Sequence, residues 1–274
     1  MNILIIGKGQ VGTILVEALK DHSVTLWQHN LIDLTRDELA KLSPDVVINA
    51  AGKTELLWCE THAREAFHSN VEAPIAAYRA VRSLNDKTFF IHFSSGCIWD
   101  GPYRSDGKPF EPYDPPIPAA FYSWTKAACD AMLLDEDPNR VAILRPRQVF
   151  SPIESPRNTL MKLVRYEKLI DTPNSMTSAE TIVKMVRYLL NATSDRAGIW
   201  NVYDKGVTSP FHVGELLAEA KLRPMPTAFT KAELDSFHKP KRVDTVLYDE
   251  RFERLIQPEP LEDMLKKAIA ALAT

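Results

Sequence analysis

The sequence is poor in cysteine and has no long hydrophobic run. Its 274 residues include 3 cysteines, Cys59, Cys97 and Cys129, which are too few and too scattered for a disulfide framework or a cysteine zinc site. We therefore expect a reducing, cytoplasmic setting and no bound metal. No apolar run approaches the ~18 residues that a membrane-spanning helix needs. The first residues lead straight into a strand-like segment, without the charged region and cleavage site of a secretory signal.

An excess of positive charge is also missing. The 33 Lys+Arg and 36 Asp+Glu residues give a formal charge of -3, and no large basic cluster is present that could follow a phosphate backbone. Nucleic acid and membranes are therefore not expected as partners. Hydrophobic residues make up 45% of the chain and charged residues 25%, which excludes a disordered or fibrous protein. The length fits one large α/β domain, or a main domain with a small companion.

Short apolar runs alternate with helical periodicity over the first half of the chain. The predicted strands are Asn2–Ile6, Ser23–Trp27, Asp45–Asn49, Thr88–Phe93 and Arg140–Leu144. The predicted helices are Val11–Lys20, Thr35–Lys41 with Thr35 as N-cap, Ala63–Asn85 and Tyr122–Leu134. This alternation predicts an α/β protein with a parallel sheet that helices cover on both faces.

The pattern changes beyond Phe150. Helices are predicted around Leu160–Tyr166 and over Ser178–Leu190, Pro210–Leu222 and Leu261–Leu272, with a strand at Gly198–Tyr203 and a proline-containing loop over Arg223–Arg242. No internal repeat and no low-complexity linker separates these elements from the first half. We therefore expect the second half to be interleaved with the first.

Glycine is scarce too, but it is concentrated in one place. Three of the 10 glycines lie in the stretch Gly7-Lys8-Gly9-Gln10-Val11-Gly12, between a predicted strand and a predicted helix. This context favours a dinucleotide-binding turn over an ordinary tight turn. Gly7 permits the turn, Gly9 lets a pyrophosphate approach the backbone, and Gly12 lets the helix pack against the sheet. Free N–H groups at the helix start, including those of Gln10 and Val11, would bind the anion.

The residues that would choose between NAD and NADP are absent. The second strand ends in Leu26-Trp27-Gln28-His29-Asn30, without an acidic residue for a ribose 2′-hydroxyl or an arginine for a 2′-phosphate. The expected cofactor is therefore NAD or NADP. Asp33 and Leu34 are predicted to face the adenine. The small strand-end segment Asn49-Ala50-Ala51-Gly52 is predicted to lie against the cofactor, with simple packing as the alternative.

A phenol and an ammonium are spaced i and i+4 on a predicted helix. Tyr122 and Lys126 would share one helix face, and an ammonium beside a phenol lowers its pKa from about 10. A tyrosine and a lysine at this spacing occur by chance in many helices. Ser94 and Ser95 strengthen the interpretation, because they follow a predicted strand at the end where α/β sheets bind ligands. A serine there can hydrogen-bond a substrate carbonyl.

The ordered set of these motifs resembles the extended short-chain dehydrogenase/reductase family, and within it the dTDP-4-dehydrorhamnose reductases. The resemblance covers nearly the whole chain. Its segments are Gly7–Gly12, Asp33-Leu34, Pro44–Ala51, Ser94–Gly101, Tyr122 with Lys126, Leu144-Arg145-Pro146 and Ser178-Ala179-Glu180. It implies a Rossmann-type doubly wound parallel sheet with a small, interleaved C-terminal substrate domain. Residues 1–150, joined by 178–204, would bind NAD(P), and residues 151–177 and 205–274 would mainly bind substrate.

The resemblance also implies roles for individual residues. Ser95, Tyr122 and Lys126 match the family's catalytic triad. Tyr122 would donate a proton to a carbonyl oxygen as hydride arrives from the nicotinamide, Lys126 would hold the nicotinamide ribose, and Ser95 would orient the substrate oxygen. Asn70 matches a family asparagine near the cofactor. The implied activity is NAD(P)-dependent reduction of a keto group on a small-molecule substrate, a sugar or nucleotide sugar. The oligomeric state is not predicted, and a homodimer is one possibility.

Some positions depart from the family pattern. The turn is one residue shorter than the usual G-x-x-G-x-x-G, Leu56-Leu57-Trp58 replaces a Val-Asp-Lys stretch, and Gln148 replaces a tryptophan. The substrate is therefore undetermined, and Arg147 could pair with a substrate phosphate or lie in solvent. Two alternative functions remain. Cys97 stands two residues after Ser95, as in GDP-fucose synthases, which allows an epimerase-reductase. A catalytically silent NAD(P)-binding regulatory subunit, like those of methionine adenosyltransferase, is the other.

Two further segments have plain structural interpretations. The irregular set Glu60, His62, Glu65 and His68 is interpreted as a polar helix face rather than a metal site. The short basic cluster His238–Arg242 is interpreted as a solvated loop. Contact with a nucleotide diphosphate is the alternative, since the matching region in the resembling family lies near the substrate pocket.

Overall fold

Strands and helices alternate along the chain. The computed structural model describes residues 1–84, 87–237 and 239–273. The strands are β1 (Asn2–Ile6), β2 (Ser23–Trp27), β3 (Val46–Asn49), β4 (Phe89–Phe93), β5 (Val141–Pro146), β6 (Val149–Phe150), β7 (Lys168–Ile170), β8 (Thr177–Ser178), β9 (Gly198–Val202) and β10 (Thr227–Phe229). The helices are α1 (Gln10–Ala18), α2 (Arg36–Leu42), α3 (Leu56–Thr61), α4 (Ala63–Phe67), α5 (Ala73–Leu84), α6 (Phe121–Glu136), α7 (Thr159–Arg165), α8 (Ala179–Asn191), α9 (Pro210–Glu219), α10 (Lys231–Phe237), α11 (Glu250–Ile256) and α12 (Leu261–Leu272). Short 3-10 turns cover Leu31–Asp33 and Gly96–Ile98, and a π-helical turn covers His68–Glu72.

Six strands form one parallel sheet in the order β2-β1-β3-β4-β5-β9. The predicted doubly wound α/β architecture is confirmed. After β2 the chain crosses to the other side of β1, so the strand order reverses between β1 and β3. Ligands of open α/β sheets bind outside the carboxyl ends of the strands at such a reversal. The sheet therefore directs attention to the residues that follow β1 and β3.

The sheet separates two apolar cores. Ile3 and Ile5 of β1 point into one core, while Leu4 and Ile6 point into the other, because successive side chains of a strand lie on opposite faces. Helices α1 and α8 cover the first face, and α2, α5 and α6 cover the second. Burial on both faces explains why the strands are continuous apolar runs rather than alternating ones.

A third apolar cluster lies in the second half of the chain. It joins β6, α7, α9 and α12 through side chains that include Phe150, Leu163, Val213 and Leu265. In contrast, α8 packs on α1, where Arg187 donates to the carbonyl oxygen of Ala18 at 2.6 Å, and β9 completes the central sheet. The predicted boundary between a cofactor domain and a substrate domain stays a prediction.

Several elements differ from the sequence prediction. The predicted loop Arg223–Arg242 contains β10, which pairs with β7, and the helix α10. Strands of three residues are too short to show an alternation pattern. The single helix predicted over Ala63–Asn85 has a π-helical turn between α4 and α5, and Asn85 lies outside the described residues. Within the described ranges, no helix is long and apolar enough to span a membrane.

Candidate active site

The glycine-rich turn after β1 touches the segment after β3. Gly7 has a φ of +98°, and a Cβ built there would lie 2.7 Å from the backbone nitrogen of Ala51 and 2.8 Å from the carbonyl carbon of Ala50. A Cβ at Gly12 would lie 1.8 Å from the carbonyl oxygen of Gly7. Backbone therefore packs on backbone at the strand reversal, and only glycine fits at Gly7 and Gly12.

The start of α1 suits an anion. Gly9 is its N-cap residue and supplies no side-chain cap, so the helix start depends on other groups to satisfy its N–H donors. The side-chain nitrogen of Gln10 is buried and has no hydrogen-bond partner in the part of the chain that the structure describes. These observations fit the pyrophosphate of a dinucleotide at the helix start.

The predicted adenine residues differ in accessibility. Asp33 is exposed at the end of its 3-10 turn, where a ligand can reach it. The Leu34 side chain is buried in the core with Leu31 and Leu39, so only its backbone can face a cofactor. Val11 is partly buried against the opposite core, which leaves its backbone N–H for the turn. Sequence periodicity cannot distinguish a backbone contact from a side-chain contact at such positions.

The buried side chain of Asn49 holds the backbone at the end of β3. Its Oδ1 accepts a hydrogen bond from the backbone nitrogen of Ala51 at 3.0 Å, which fixes the orientation of the amide. Its Nδ2 then donates to Nδ1 of His92 at 3.1 Å. Because the Asn49 side chain is fully buried and satisfied by these partners, it supports the Ala50-Ala51 corner from behind.

His92 is a buried neutral residue that lies between Asn49 and the predicted catalytic lysine. Since its Nδ1 accepts from Asn49, the ring proton is on Nε2, which is 3.5 Å from Nζ of Lys126 and 3.7 Å from Sγ of Cys129. Burial, and then the charge of Lys126, lower the pKa of His92 well below its usual value. The sequence analysis missed this residue, because it occupies an otherwise apolar strand.

Lys126 is buried at the carboxyl end of β4. Its Nζ donates to the carbonyl oxygen of Phe93 at 2.9 Å. Burial lowers the pKa of Lys126, while Cys129 and Asp130 act in the opposite direction. The ammonium therefore lies at the strand end that leads into the Ser94-Ser95 segment.

Tyr122 and Ser95 are brought together. Ser95 Oγ accepts from the backbone nitrogen of Cys97 at 3.1 Å, Cys97 packs against Tyr122, and Ser95 lies near enough to the phenol to lower its pKa. Burial and then Cys97 raise the pKa of Tyr122, whereas Ser95 and Arg147 lower it. The pKa of Tyr122 is thus raised overall, whereas a neighbouring ammonium was expected to lower it. The ammonium of Lys126 instead donates to the carbonyl oxygen of Phe93. Tyr122 is held as the phenol, which is the form that can donate a proton.

A guanidinium lies next to the thiol of Cys97. Arg147 is buried, and its Nη1 donates to Sγ of Cys97 at 2.8 Å while its Nη2 donates to Oδ1 of Asn174 at 2.7 Å and to the carbonyl oxygen of Val243. Arg147 is thus neither in solvent nor at the surface. Its Nε is buried without a hydrogen-bond partner among the described residues, so this cluster retains an unused donor.

Asn70 connects the loop after β3 to helix α6. In the π-helical turn, its Oδ1 accepts from the backbone nitrogen of Lys53 at 2.8 Å, and its Nδ2 donates to the carbonyl oxygen of Lys53 at 2.9 Å and to Oγ1 of Thr125 at 3.1 Å. Thr125 in turn donates to the carbonyl oxygen of Tyr122 at 2.7 Å. Asn70 therefore positions the segment that includes Gly52 relative to α6.

Helix α3 supplies an apolar wall beside the phenol. Tyr122 clusters with Cys59 and Ala66, and partly buried side chains pack on this group, namely Leu56, Trp58, Cys97 and Phe121. Nζ of Lys53 lies 5.0 Å from the centre of the Trp58 ring. The stretch that departs from the family pattern thus packs against the cluster of Tyr122 through Leu56 and Trp58.

The residues considered for a metal have other partners. Glu60 accepts from the backbone nitrogen of Phe121 at 2.7 Å, at the start of α6. His62 stacks on Trp58 with ring centres 4.8 Å apart, and His68 pairs with Glu72 at 2.7 Å. In the basic cluster His238–Arg242, His238 lies outside the described residues and Lys241 pairs with Asp100 at 2.7 Å.

The chain is similar in sequence to curated proteins from Arabidopsis thaliana. A trifunctional UDP-glucose 4,6-dehydratase/UDP-4-keto-6-deoxy-D-glucose 3,5-epimerase/UDP-4-keto-L-rhamnose-reductase is 33% identical over 187 residues, which cover 65% of this chain and 27% of that protein. A bifunctional dTDP-4-dehydrorhamnose 3,5-epimerase/dTDP-4-dehydrorhamnose reductase is 31% identical over 187 residues, which cover 65% of this chain and 60% of that protein. The chain thus spans less than two thirds of either relative.

Solved structures and a family match complete the comparison. The crystal structure of a UDP-rhamnose synthase from Acanthamoeba polyphaga mimivirus has a TM-score of 0.88 with 21% identity, and the match covers 98% of this chain and 99% of that chain. Other solved neighbours of this fold are complexed with NADP, NADPH or NAD. The RmlD substrate-binding domain family matches residues 1–273. The chain therefore belongs to the RmlD substrate-binding domain family.

Proposed function

We propose that this protein reduces a keto group on a nucleotide-linked sugar, with NADH or NADPH as the hydride donor. The observation that carries the proposal is that Ser95, Tyr122 and Lys126 come together at the carboxyl end of β4, at the same sheet edge as the Gly7–Gly12 turn. A dinucleotide on that turn would extend along the strand ends towards these three side chains. Curated relatives named as keto-rhamnose reductases support the same substrate class.

Each side chain has a defined task in this proposal. When bound, the cofactor would supply a hydride for the carbonyl carbon, and Tyr122 would donate its phenolic proton to the carbonyl oxygen, so that an alcohol forms. Ser95, which lies near Tyr122, would orient that oxygen. Lys126 would hold the ribose hydroxyls and stabilise the phenolate that remains after proton transfer. The apolar wall of α3 excludes water from the phenol.

The acid role is tested with Tyr122→Phe. We expect kcat to fall by about 10²–10⁴-fold, because a positioned proton donor contributes about that much. The Kd of NADPH, measured by fluorescence titration, should stay unchanged. Tyr166→Phe is the matched control, since Tyr166 is an exposed tyrosine outside the cluster. Normal turnover by Tyr122→Phe would overturn the role of Tyr122. Wild-type protein that binds cofactor tightly and reduces none of a panel of keto-sugars would favour the regulatory subunit.

One observation favours a second activity at the same site. Cys97 contacts the group that contains Tyr122 and is hydrogen-bonded by Arg147. A Cys97 thiolate would remove a proton from a carbon next to the keto group, with the electron pair passing to the carbonyl oxygen. A solvent proton added to the opposite face of that carbon, as the electron pair returns from the oxygen and the carbonyl re-forms, would complete an epimerisation before reduction. The bifunctional epimerase/reductase relative supports this candidate.

A further inference from the structure

An arginine from the second half of the chain lies over the glycine-rich turn. Nη1 of Arg157 donates to the carbonyl oxygen of Lys8 at 3.5 Å, although 149 residues separate them in sequence. The same nitrogen is 3.5 Å from the position that a Cβ on Gly9 would occupy. The guanidinium thus occupies the space above Gly9, which is where a pyrophosphate would approach the backbone.

The loop that carries Arg157 is held rigidly. The next residue, Asn158, is fully buried, and its Nδ2 donates to the carbonyl oxygens of Ser151 and Ile153, both at 2.8 Å. Its Oδ1 accepts from the backbone nitrogen of Leu160 at 3.3 Å, which caps α7. Ser155 Oγ accepts from the backbone nitrogen of Arg157 at 3.3 Å. The Arg157 side chain is exposed, but its backbone is fixed relative to α7.

The surroundings of Arg157 are positively charged. The pKa of Lys162 on α7 is lowered by desolvation and then by repulsion from Arg242 and Arg157. Lys8 lies in the turn itself. Cations that repel one another at one place favour a ligand with several negative charges. Arginine in particular can donate two parallel hydrogen bonds to a phosphate.

We propose that Arg157 binds the pyrophosphate of the dinucleotide from the side opposite to the start of α1. This inference rests on the proposed use of NADH or NADPH and adds a residue to that site. Cofactor binding would then replace the weak contact to Lys8 with charge-assisted hydrogen bonds, and it would draw the loop of residues 151–158 and α7 towards the turn. The pyrophosphate would thereby connect the Gly7–Gly12 turn on one side with the loop before α7 on the other.

Binding measurements test this without relying on turnover. NADH, NADPH, ADP-ribose, AMP and UDP are titrated calorimetrically into the wild type, Arg157→Ala and Arg157→Lys. Arg165→Ala is the control, because Arg165 is an exposed arginine in the last turn of α7. We expect Arg157→Ala to bind NADH, NADPH and ADP-ribose about tenfold more weakly or worse, since charge-assisted bonds to phosphate are lost. The loss should be smaller for AMP and intermediate in Arg157→Lys. It should shrink as ionic strength rises.

The outcomes separate this proposal from the proposed function. Unchanged ADP-ribose affinity in Arg157→Ala overturns the role of Arg157, even if the wild type reduces keto-sugars. A loss of affinity for UDP alone also overturns it and assigns Arg157 to the diphosphate of the substrate. Weaker ADP-ribose binding by Arg157→Ala, together with a wild type that reduces no keto-sugar, supports Arg157 and overturns the reductase. A wild type that binds no dinucleotide overturns both.

Discussion

Nη1 of Arg147 donates a hydrogen bond to Sγ of Cys97 at 2.8 Å, next to Tyr122. Arg147 is itself anchored by Asn174 and Val243, so the thiol is held by a buried and rigid partner. The contact places Cys97 against the cluster that contains Tyr122, and it is the geometric reason for testing the proposed role of Cys97 as a base.

Replacement of Cys97 should separate epimerisation from reduction. In Cys97→Ala, the solvent exchange of hydrogens next to the keto group should be abolished, because the base is gone. Reduction of a substrate that already has the product configuration should keep kcat within about tenfold, since Tyr122 and Ser95 remain. Deuterium incorporation in heavy water, followed by NMR, measures the first activity, and NADPH absorbance measures the second.

Cys59→Ala is the matched control for that experiment, because Cys59 belongs to the same apolar cluster and lacks the arginine partner. Exchange that persists in Cys97→Ala would assign the base to another residue. Exchange that is absent from the wild type would remove the epimerase candidate and leave the reductase in place.

Gly12→Ala should unfold the turn or the protein. Its Cβ would lie 1.8 Å from the Gly7 carbonyl oxygen, and backbone cannot yield as a flexible side chain does. We expect loss of cofactor binding and a clear fall in Tm by circular dichroism. Gly107→Ala is the control, because Gly107 has a φ of +77° with no atom within 4 Å of its Cβ position. That variant should lose only about 1–2 kcal/mol from the left-handed backbone. Equal effects of the two variants would contradict the close approach at Gly12.

Asn70→Ala should weaken catalysis through position rather than through contact with the reacting atoms. It leaves the Lys53 backbone and Thr125 without their amide partner, which costs about 1–3 kcal/mol of stability. Because Thr125 holds the backbone of Tyr122, kcat should fall while the pH dependence of kcat keeps its shape. Asn191→Ala on α8, which removes one exposed amide contact, is the control. A changed pH profile would instead indicate a direct role for Asn70 in proton transfer.

Asp204 gives a pH-dependent contribution to stability. It accepts from the backbone and hydroxyl of Ser178 and from the hydroxyl of Thr181 at the start of α8, yet burial raises its pKa from 3.8 to about 6. Since the folded pKa exceeds the unfolded one, its contribution is fully present below about pH 4 and is lost as the pH rises through 6. The loss should approach about 3 kcal/mol, at 1.36 kcal/mol per unit.

Urea unfolding of the wild type and of Asp204→Asn from pH 4 to 7.5 measures this contribution. The difference in unfolding free energy between the two proteins should decline across that range, whereas exposed Asp135→Asn should stay parallel to the wild type. A constant difference would show that the pKa of Asp204 is ordinary in the folded protein.

The local parts of the site could be predicted from the sequence. The Gly7–Gly12 stretch, the spacing of Tyr122 and Lys126, and the strand before Ser95 all act over a few residues, so their patterns survive without tertiary information. Contacts between residues that are far apart in the sequence could not be predicted in this way. Cys97 and Arg147 are 50 residues apart, and Lys8 and Arg157 are 149 apart. Such pairs depend on strand order and loop path, which no local pattern encodes.

The sequence also did not predict which way side chains point where a strand or a turn ends. Asn49 and Leu34 belong to segments that were predicted to contact the cofactor, and both side chains point into the protein interior. Whether a residue after a strand offers its side chain or its backbone is decided by the packing of neighbouring elements. His92 shows the reverse case, because one polar residue in an apolar strand gave no sign that it contacts Lys126.

The packing of α8 on α1 limits how this chain could be divided. Helix α1, which begins at the Gly7–Gly12 turn, is held at its other end by Arg187, which pairs with Asp21 at 2.8 Å and donates to the carbonyl oxygen of Ala18. Ile182 and Met185 of α8 cover the same core as Ile3 and Ile5. A fragment cut after residue 150 would lose this cover and expose part of one face of its sheet to water. Residues 1–150 are therefore not an independent module, and fusions or truncations should keep α8 and β9 with them.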